Sequence, residues 1–187
     1  MAAVPADHSD DEYVEPTLAD AEVVTKYRAA SDIVQTALKG LVTKIEAGAK
    51  VFTLCQLGDT LIDAQCAQMF KSKKVDKGVA FPTCISINEV VCHYSPFSEC
   101  TDEVKAGDVV KVDMGAHIDG FIAIVAHTVV VPASAEGAAA AAAGESSDAQ
   151  MVGFDGKITG RLADVMMAAS QAAQIAQRLI KPGNTNT

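Results

Sequence analysis

An acidic residue, Asp113, stands in the middle of an apolar segment of β-strand character and is the first candidate for chemistry. Val112 and Met114 flank it, and burying an unpaired carboxylate there is costly unless the acid is paired, protonated or bound to a metal. Two interpretations follow. Asp113 is a metal ligand or general base, or it is a strand acid whose side chain faces solvent, which the alternation of the segment equally allows.

Three histidines lie near the same segment in sequence. His93 ends a short apolar run and fits a general acid or base, or a hydrogen-bonding orienter of a substrate, but a lone histidine there also fits a structural role. His117 and His127 bracket the segment, and alternation alone lets His127 approach Asp113. Hydrolytic two-metal sites draw bridging carboxylates from several segments, and the sequence does not show that set.

The basic cluster at 71–77 is the remaining candidate for binding. Its cations are Lys71, Lys73, Lys74 and Lys77. They fit contacts to RNA phosphates, or simply a solvated loop. The net charge of −9 and the pI of about 4.8 argue against a nucleic-acid-attracting surface over the whole chain. The sequence shows no glycine-rich phosphate loop and no nucleophile elbow.

The hydrophobic pattern places these residues in an α+β architecture, an antiparallel sheet with helices packed on one face. Apolar residues at steps of three and four predict a first helix from a cap near Thr17 to about Gly48. Thr53 and Gln56 resemble a capping box that opens a second helix. Helical spacing returns near Leu162 and ends at the Lys-Pro-Gly of 181–183.

The strands are predicted between these helices. Short β-type runs occupy 78–82, 84–87 and 90–94, with breaks at Pro82 and Asn88. Two longer strands, at 108–117 and 120–131, are joined by Asp119-Gly120, which has the chemistry of a hairpin turn.

The 187 residues predict one domain at 17–187, an acidic disordered tail at 1–16 and a low-complexity alanine-rich loop at 133–150. No apolar run approaches the roughly 20 residues of a membrane span, and the N-terminus lacks a signal peptide. We therefore expect a cytoplasmic protein, with the nucleus or nucleolus as further compartments. Five scattered cysteines without a CxxC pair favour free thiols in a reducing compartment.

The segments around these candidates resemble the methionine aminopeptidase superfamily. Phe81-Pro82, Ser86-x-Asn88 and Cys92-His93 match its Phe-Pro … Ser-x-Asn-x-x-x-Cys-His pattern, and Gly107–Asp113 and Asp119-Gly120-Phe121 follow at the right distance. The runs 23–27, 77–83, 92–96, 117–123 and 125–128 are similar to the proliferation-associated, receptor-binding branch. The likeness covers about residues 18–187 apart from the alanine-rich insert.

The resemblance implies the N-terminal half of a "pita-bread" fold made of two similar halves. In active members two hairpin Asp residues, and a His and two Glu from the second half, hold two metals, and a His at the position of His93 assists catalysis. Asp113 matches the first hairpin Asp, but Ile124 stands in place of the second. Asp113 and His93 are therefore expected to be vestigial, with no metal or cofactor bound.

The leading hypothesis is thus a non-catalytic protein that binds RNA or ribosomal particles and protein partners in growth or translation control, with Lys71, Lys73, Lys74 and Lys77 as contacts. Two alternatives stay open: a metal-dependent aminopeptidase with two divalent ions, and a protein-interaction module without an RNA role. The resemblance also suggests a fragment, because the family's remaining ligand positions fall beyond Thr187. The second half is then expected to pack on the exposed sheet face, and the chain alone to self-associate.

Overall fold

The computed structural model describes residues 15–71, 74–98, 100–131 and 158–185. Its elements, in chain order, are α1 (Ala21–Val42), α2 (Val51–Cys66), β1 (Lys77–Ile87), β2 (Val109–Ile118), β3 (Phe121–Val130) and α3 (Gly160–Leu179). The predicted loop at 133–150 lies outside the described residues, as does all of the predicted tail except its last two residues. None of the helices in the described ranges is both long and apolar enough to cross a membrane.

The three strands form one antiparallel sheet in the order β1-β2-β3, and helices α1 and α2 cover one of its faces. Every second residue of β2 points into the core beneath those helices. These residues are Val110, Val112, Met114, Ala116 and Ile118, each no more than 1% exposed. They pack with the buried stripe of α1, which includes Ile33, Val34 and Leu41. The predicted α+β class is therefore confirmed, and the core lies on one side of the sheet.

The predicted turn at Asp119-Gly120 joins β2 to β3. Both residues have positive φ, 51° and 79°, as a two-residue type I′ turn requires. The turn is anchored from two sides. Asp119 exchanges backbone and side-chain hydrogen bonds with Asp76, and its Oδ2 lies 2.9 Å from the Nζ of Lys26 in α1. The register then runs from the Ile118–Phe121 pair to the end of β3 without a bulge.

The helix starts differ from the predicted ones. Asp20, not Thr17, caps α1, and its Oδ1 accepts a 2.7 Å hydrogen bond from the Glu22 amide. The predicted capping box at Thr53 is wrong because α2 already begins at Val51. Its first amide instead donates to the carbonyl of Asp102, 3.0 Å away, so a distant segment satisfies the donor that a side-chain cap would have served. Helix α1 also ends at Val42, before Gly48.

The predicted β breaks are also corrected. Strand β1 runs through Pro82, which is tolerated because β1 is an edge strand and its pairing to β2 shifts register on both sides of Phe81. The run at 90–94 is not a strand. Asn88 adopts φ +48°, which turns the chain back so that the Ile85 amide bonds the Tyr94 carbonyl at 2.9 Å.

Helix α2 approaches β1 closely at Gly58. A Cβ on Gly58 would lie 2.5 Å from Oγ1 and 2.6 Å from Cγ2 of Thr83, whose side chain is fully buried. The Asp59 carboxylate accepts a 2.8 Å hydrogen bond from the Thr83 amide and fixes this contact. Glycine is therefore required here by space.

The variant Gly58→Ala is expected to lower the free energy of unfolding by about 1–2 kcal/mol, because overpacking typically costs about 1–3 kcal/mol and exceeds the gain in helix propensity. Thermal unfolding followed by circular dichroism measures the change. Gly40→Ala in α1 is the control. Its added Cβ meets only the end of the Leu61 side chain at 3.3 Å, so its melting temperature should equal or exceed that of the wild type. A Gly58→Ala protein as stable as Gly40→Ala would contradict the close approach.

Candidate functional site

Asp113 lies on the face of the sheet opposite α1 and α2, called here the outer face. In β2 this face carries Lys111, Asp113, Gly115 and His117, which alternate with the buried residues. The cross-strand partners of Asp113 are Cys84 in β1 and Ala126 in β3. Its side chain is 28% exposed, which places it at the floor of an open groove and not in the core.

Ile124 lies beside Asp113 on the same face. It pairs directly with Gly115, two residues along β2, so residues 113 and 124 are diagonal neighbours, a relation that spans about 7–8 Å in sheets. A Cβ on Gly115 would lie 3.2 Å from the Ile124 Cγ2, so the isoleucine packs over that glycine. The side chain is 68% exposed. The position can therefore present a ligand next to Asp113, but it presents hydrocarbon.

His93 reaches the same acid from the segment that follows β1. Its Nε2 lies 3.6 Å from Oδ2 of Asp113, longer than a direct hydrogen bond. Its backbone has φ +58°, and the neighbouring Tyr94 amide donates to the Ser86 hydroxyl at 3.3 Å. The imidazole is 75% exposed. The sequence-predicted pair of His93 and Asp113 is thus brought together, with the histidine open to solvent.

The other two histidines do not join them. His127 pairs with Val112, not with Asp113, so alternation places it on the helix-covered face, and the predicted approach of His127 to Asp113 is wrong. The sequence alone leaves that approach open, because the register of β3 against β2 is unknown at that stage and a shift of one residue exchanges the two faces of β3. His117 shares the outer face, and its Nδ1 accepts a 3.3 Å hydrogen bond from the Gly120 amide.

Lys111 is a residue of the outer face that the sequence reasoning did not select. It stands two residues before Asp113, and burial lowers the pKa of its ammonium group. Its Nζ donates a 2.7 Å hydrogen bond to the carbonyl of Asn88. The alternation of β2 contains the signal, since every second residue from Asp113 shares its face. Lys111 supports the turn at Asn88 and makes no ion pair with Asp113 within the described residues.

The wall facing this surface is helix α3, and the groove between them has a volume of about 1670 Å³. Helix α3 contributes apolar side chains such as Leu162, Val165 and Met166, and Val91 lies at the groove edge. Met166 is the only buried residue of helix α3. The groove is larger in volume than the roughly 300–1,000 Å³ typical of small-molecule sites.

The described residues of the groove do not form a metal centre. No group of three or more His, Cys, Asp or Glu side chains there is arranged to hold an ion. Asp113 and His93 supply one carboxylate and one imidazole, while a hydrolytic two-metal site needs carboxylates that bridge both ions. By themselves these two side chains can accept or pass a proton, but they cannot fix two cations.

The lysines of the basic cluster lie away from the groove, between α2 and β1. Lys71 and Lys74 are exposed, and neither forms an ion pair within the parts of the chain that the structure describes. Lys77 differs, because its Nζ donates to the carbonyl of Met69 and is already satisfied. Lys73 lies outside the described residues. Two free cations therefore remain from the predicted set.

Known proteins match most of this chain. The model of metallopeptidase family M24 (Peptidase_M24) matches residues 25–186. The "ERBB-3 binding protein 1" of Solanum tuberosum is 43% identical over 183 residues, which are 96% of this chain and 42% of that protein. The "Proliferation-associated protein A" of Dictyostelium discoideum is 41% identical over 170 residues, 90% of this chain and 39% of that protein. The resemblance to the proliferation-associated branch is confirmed.

A solved structure agrees with this placement. The chain superposes on the structure of a thermophilic Arx1 with a TM-score of 0.68 and 28% identity, over 90% of this chain and 42% of that one. The described helices and sheet are thus a partial pita-bread fold, as the resemblance implied. The chain spans about two-fifths of the length of the curated relatives it matches.

The half-buried position of His127 predicts a pH dependence of stability. Burial lowers the pKa of its imidazole below the usual 6.5, so the unfolded state binds the proton first as the pH falls. Stability should be unaffected by this group above about pH 6.5, and should fall below it until the folded-state pKa is passed. Urea unfolding at a series of pH values measures the effect.

His127→Gln is expected to flatten this part of the stability profile. His93→Gln, the matched change at an exposed histidine, should keep the wild-type slope. If the two variants show the same profile, His127 is not the group responsible.

Proposed function

Since this chain belongs to metallopeptidase family M24, we propose that it is a member without peptidase activity, which binds structured RNA or ribosomal particles and protein partners. The observation that carries the proposal is Ile124, an aliphatic side chain in the place beside Asp113 where the resemblance puts a second metal-binding acid. A hydrocarbon offers no lone pair to a cation. His93 and Asp113 remain close to each other, and among the residues that the structure describes no third ligand joins them to hold a metal.

The RNA part of the proposal is supported by the exposed lysines at the α2–β1 connection. Lys71 and Lys74 have no acidic partner within the described residues and can meet phosphate oxygens. The net charge of −9 repels a polyanion elsewhere on the chain, so binding must be local and sensitive to salt. The membership of the proliferation-associated branch, which the sequence resemblance connects with RNA and ribosomes, adds to this support.

The protein-binding part is supported by apolar surface on and near the outer face. Val91 is 81% exposed, and Ile124 is 68% exposed. The potato relative carries a name that describes it as a binding protein for ErbB-3. We extend the general property of binding protein partners to this chain. One such partner is the second half of the fold that the resemblance implies. Cytoplasmic, nuclear or nucleolar residence accompanies the proposed role in growth or translation control.

The first test concerns metal. The full-length protein, including the second half that the resemblance implies, is expected to show no stoichiometric binding of two Mn²⁺, Co²⁺ or Zn²⁺ ions by calorimetry, and no release of N-terminal Met from a peptide. Stoichiometric binding of two ions together with Met release would overturn the proposal in favour of a true aminopeptidase.

Ile124→Asp is the matched variant. It sets a second carboxylate beside Asp113 at an exposed position, where it should not disturb the core. Like-charge repulsion is relieved by a cation, so this variant should gain affinity for divalent ions and a higher melting temperature in their presence. Ile124→Asn, equal in size but uncharged, should gain less.

The second test concerns RNA. In Lys71→Glu/Lys74→Glu, affinity for structured RNA or ribosomes measured by fluorescence anisotropy should fall about tenfold or more. The slope of log K against log salt should become shallower by about 0.7–0.9 for each phosphate that the variant no longer neutralises.

Lys39→Glu/Lys44→Glu carries the same charge change at the far end of α1 and just beyond it, and should bind nearly as the wild type does. Lys71 follows Phe70, which lies beside Ala21 and Lys26 at the start of α1, and Lys39 is roughly 20 Å further along that helix. Equal losses of affinity in both double variants would assign the effect to net charge and not to a lysine site. Absence of RNA binding by the wild type would leave the protein-interaction alternative.

A further inference from the structure

Phe70, in the connection between α2 and β1, has a backbone conformation that a bulky side chain rarely adopts. Its φ is +47°, in the left-handed region that glycine or asparagine usually occupies after a helix. A large residue keeps this conformation only where its surroundings hold it, and such residues cluster at binding sites. The backbone next to Phe70 is held by Lys77, whose Nζ donates to the carbonyl of Met69. The conformation fixes the direction of the ring, so the surroundings of the ring indicate its purpose.

The ring of Phe70 lines a small cavity between the start of α1 and the α2–β1 connection. The cavity that the described residues form has a volume of about 330 Å³, within the range of small-ligand sites. Phe70 and Val75 are half-buried and pack against the hydrophobic core. The ring is therefore anchored by the core and still reachable from the cavity. The rest of the lining comes from the first turns of α1, namely Ala21, Glu22, Thr25 and Lys26.

The charges of the cavity suit a neutral ligand with N–H donors. The Nζ of Lys26 lies 2.9 Å from Asp119 Oδ2 and 3.1 Å from Glu22 Oε1, so two acids already neutralise this lysine. The side chain of Glu22 is 62% exposed, and its carboxylate can only accept hydrogen bonds. A phosphate inside the cavity would be repelled by Glu22, whereas an amino group would find an acceptor there.

Positive charge lies beside the cavity and not in it. Lys71 directly follows Phe70, Lys74 directly precedes Val75, and both lysines are exposed. Neither forms an ion pair within the described parts of the chain. A polyanionic backbone can therefore lie along the lysines while a flat, neutral part of the same molecule enters the cavity. Unpaired nucleotides of RNA are bound in this way, with phosphates on cations and bases stacked on aromatic side chains.

We infer that this cavity takes one unpaired nucleobase of an RNA whose phosphates meet Lys71 and Lys74, an inference that rests on the proposed RNA binding. The base stacks on the ring of Phe70, and its exocyclic amino group donates to the carboxylate of Glu22. Adenine, guanine and cytosine carry such an amino group. Uracil presents carbonyl oxygens instead, which the carboxylate repels, so the cavity selects against uracil.

The test compares two RNA hairpins in binding to the full-length protein, one fully paired in its stem and one with a single unpaired adenine there. In Phe70→Leu, affinity for the second hairpin measured by fluorescence anisotropy should fall at least about fivefold, the lower limit for a base stacked on an aromatic ring. Affinity for the paired stem and the salt slope should stay unchanged, because no phosphate contact is lost. With 2-aminopurine at the unpaired position, emission should be lower in the wild-type complex than in the Phe70→Leu complex, because stacking quenches it.

Phe52→Leu is the matched control. Phe52 is also half-buried, but it lies in the first turn of α2, roughly 20 Å from the other end of that helix. Its replacement should leave the binding of both hairpins as in the wild type. Equal losses of affinity in Phe70→Leu and Phe52→Leu would overturn the inference.

Glu22→Gln tests the choice of base at an exposed position. The wild type should prefer unpaired adenine over unpaired uracil about fivefold or more, since a hydrogen bond to a charged group is lost with uracil. The variant should lose most of this preference, because an amide both donates and accepts. If Phe70→Leu fails to fold by circular dichroism, Glu22→Gln decides, and an unchanged preference overturns the inference.

The inference and the proposed function fail in different ways. A wild-type protein that binds neither hairpin overturns both. Binding that depends on Lys71 and Lys74 but is the same in Phe70→Leu keeps the proposed function and overturns the nucleobase site alone.

Discussion

The register of the hairpin between β2 and β3 is the constraint on which the rest of the structure depends. The Asp119-Gly120 turn fixes it, since only two residues connect the strands and both adopt positive φ. Lys26 and Asp76 hold Asp119 in place, and the ring of Phe121 lies under the Lys26 ammonium at 5.5 Å from its centroid. A slip of one residue would exchange the two faces of β3, and would move Ile124 away from Asp113 and His127 out from beneath the helices.

That register divides the sheet into two faces with different tasks. The face under α1 and α2 is filled by valine, isoleucine, methionine and alanine, and its burial stabilises the fold. The outer face lines an open groove and carries Asp113 and Lys111. Because Ile124 is largely exposed on that face, its identity matters little to the core. The residue at this position can change from acid to hydrocarbon while the scaffold persists, so the fold by itself is not evidence for hydrolysis.

The residues that carry the family resemblance have structural tasks as well. The Ser86 hydroxyl accepts from the Tyr94 amide, and the Asn88 side chain bonds both Asp108 and the Val109 amide. These contacts hold the segment that brings His93 to Asp113. A sequence match at these positions therefore shows that the loop is built in the same way. Whether the loop serves catalysis depends on the ligands around it.

The sequence by itself determined the fold class, the two helices of the core, the long hairpin and its turn, because hydrophobic period and turn chemistry are local properties. Residue type and context selected Asp113 and His93, and the resemblance identified the substitution at Ile124. The sequence did not locate the start of α2 at Val51, since the amide there is satisfied by Asp102, about fifty residues away. It placed a break at Pro82, although an edge position lets β1 continue through it. Only the tertiary structure decided that His127 lies on the face away from Asp113 and that Lys77 is already bonded to Met69, because each depends on which strand or helix lies alongside.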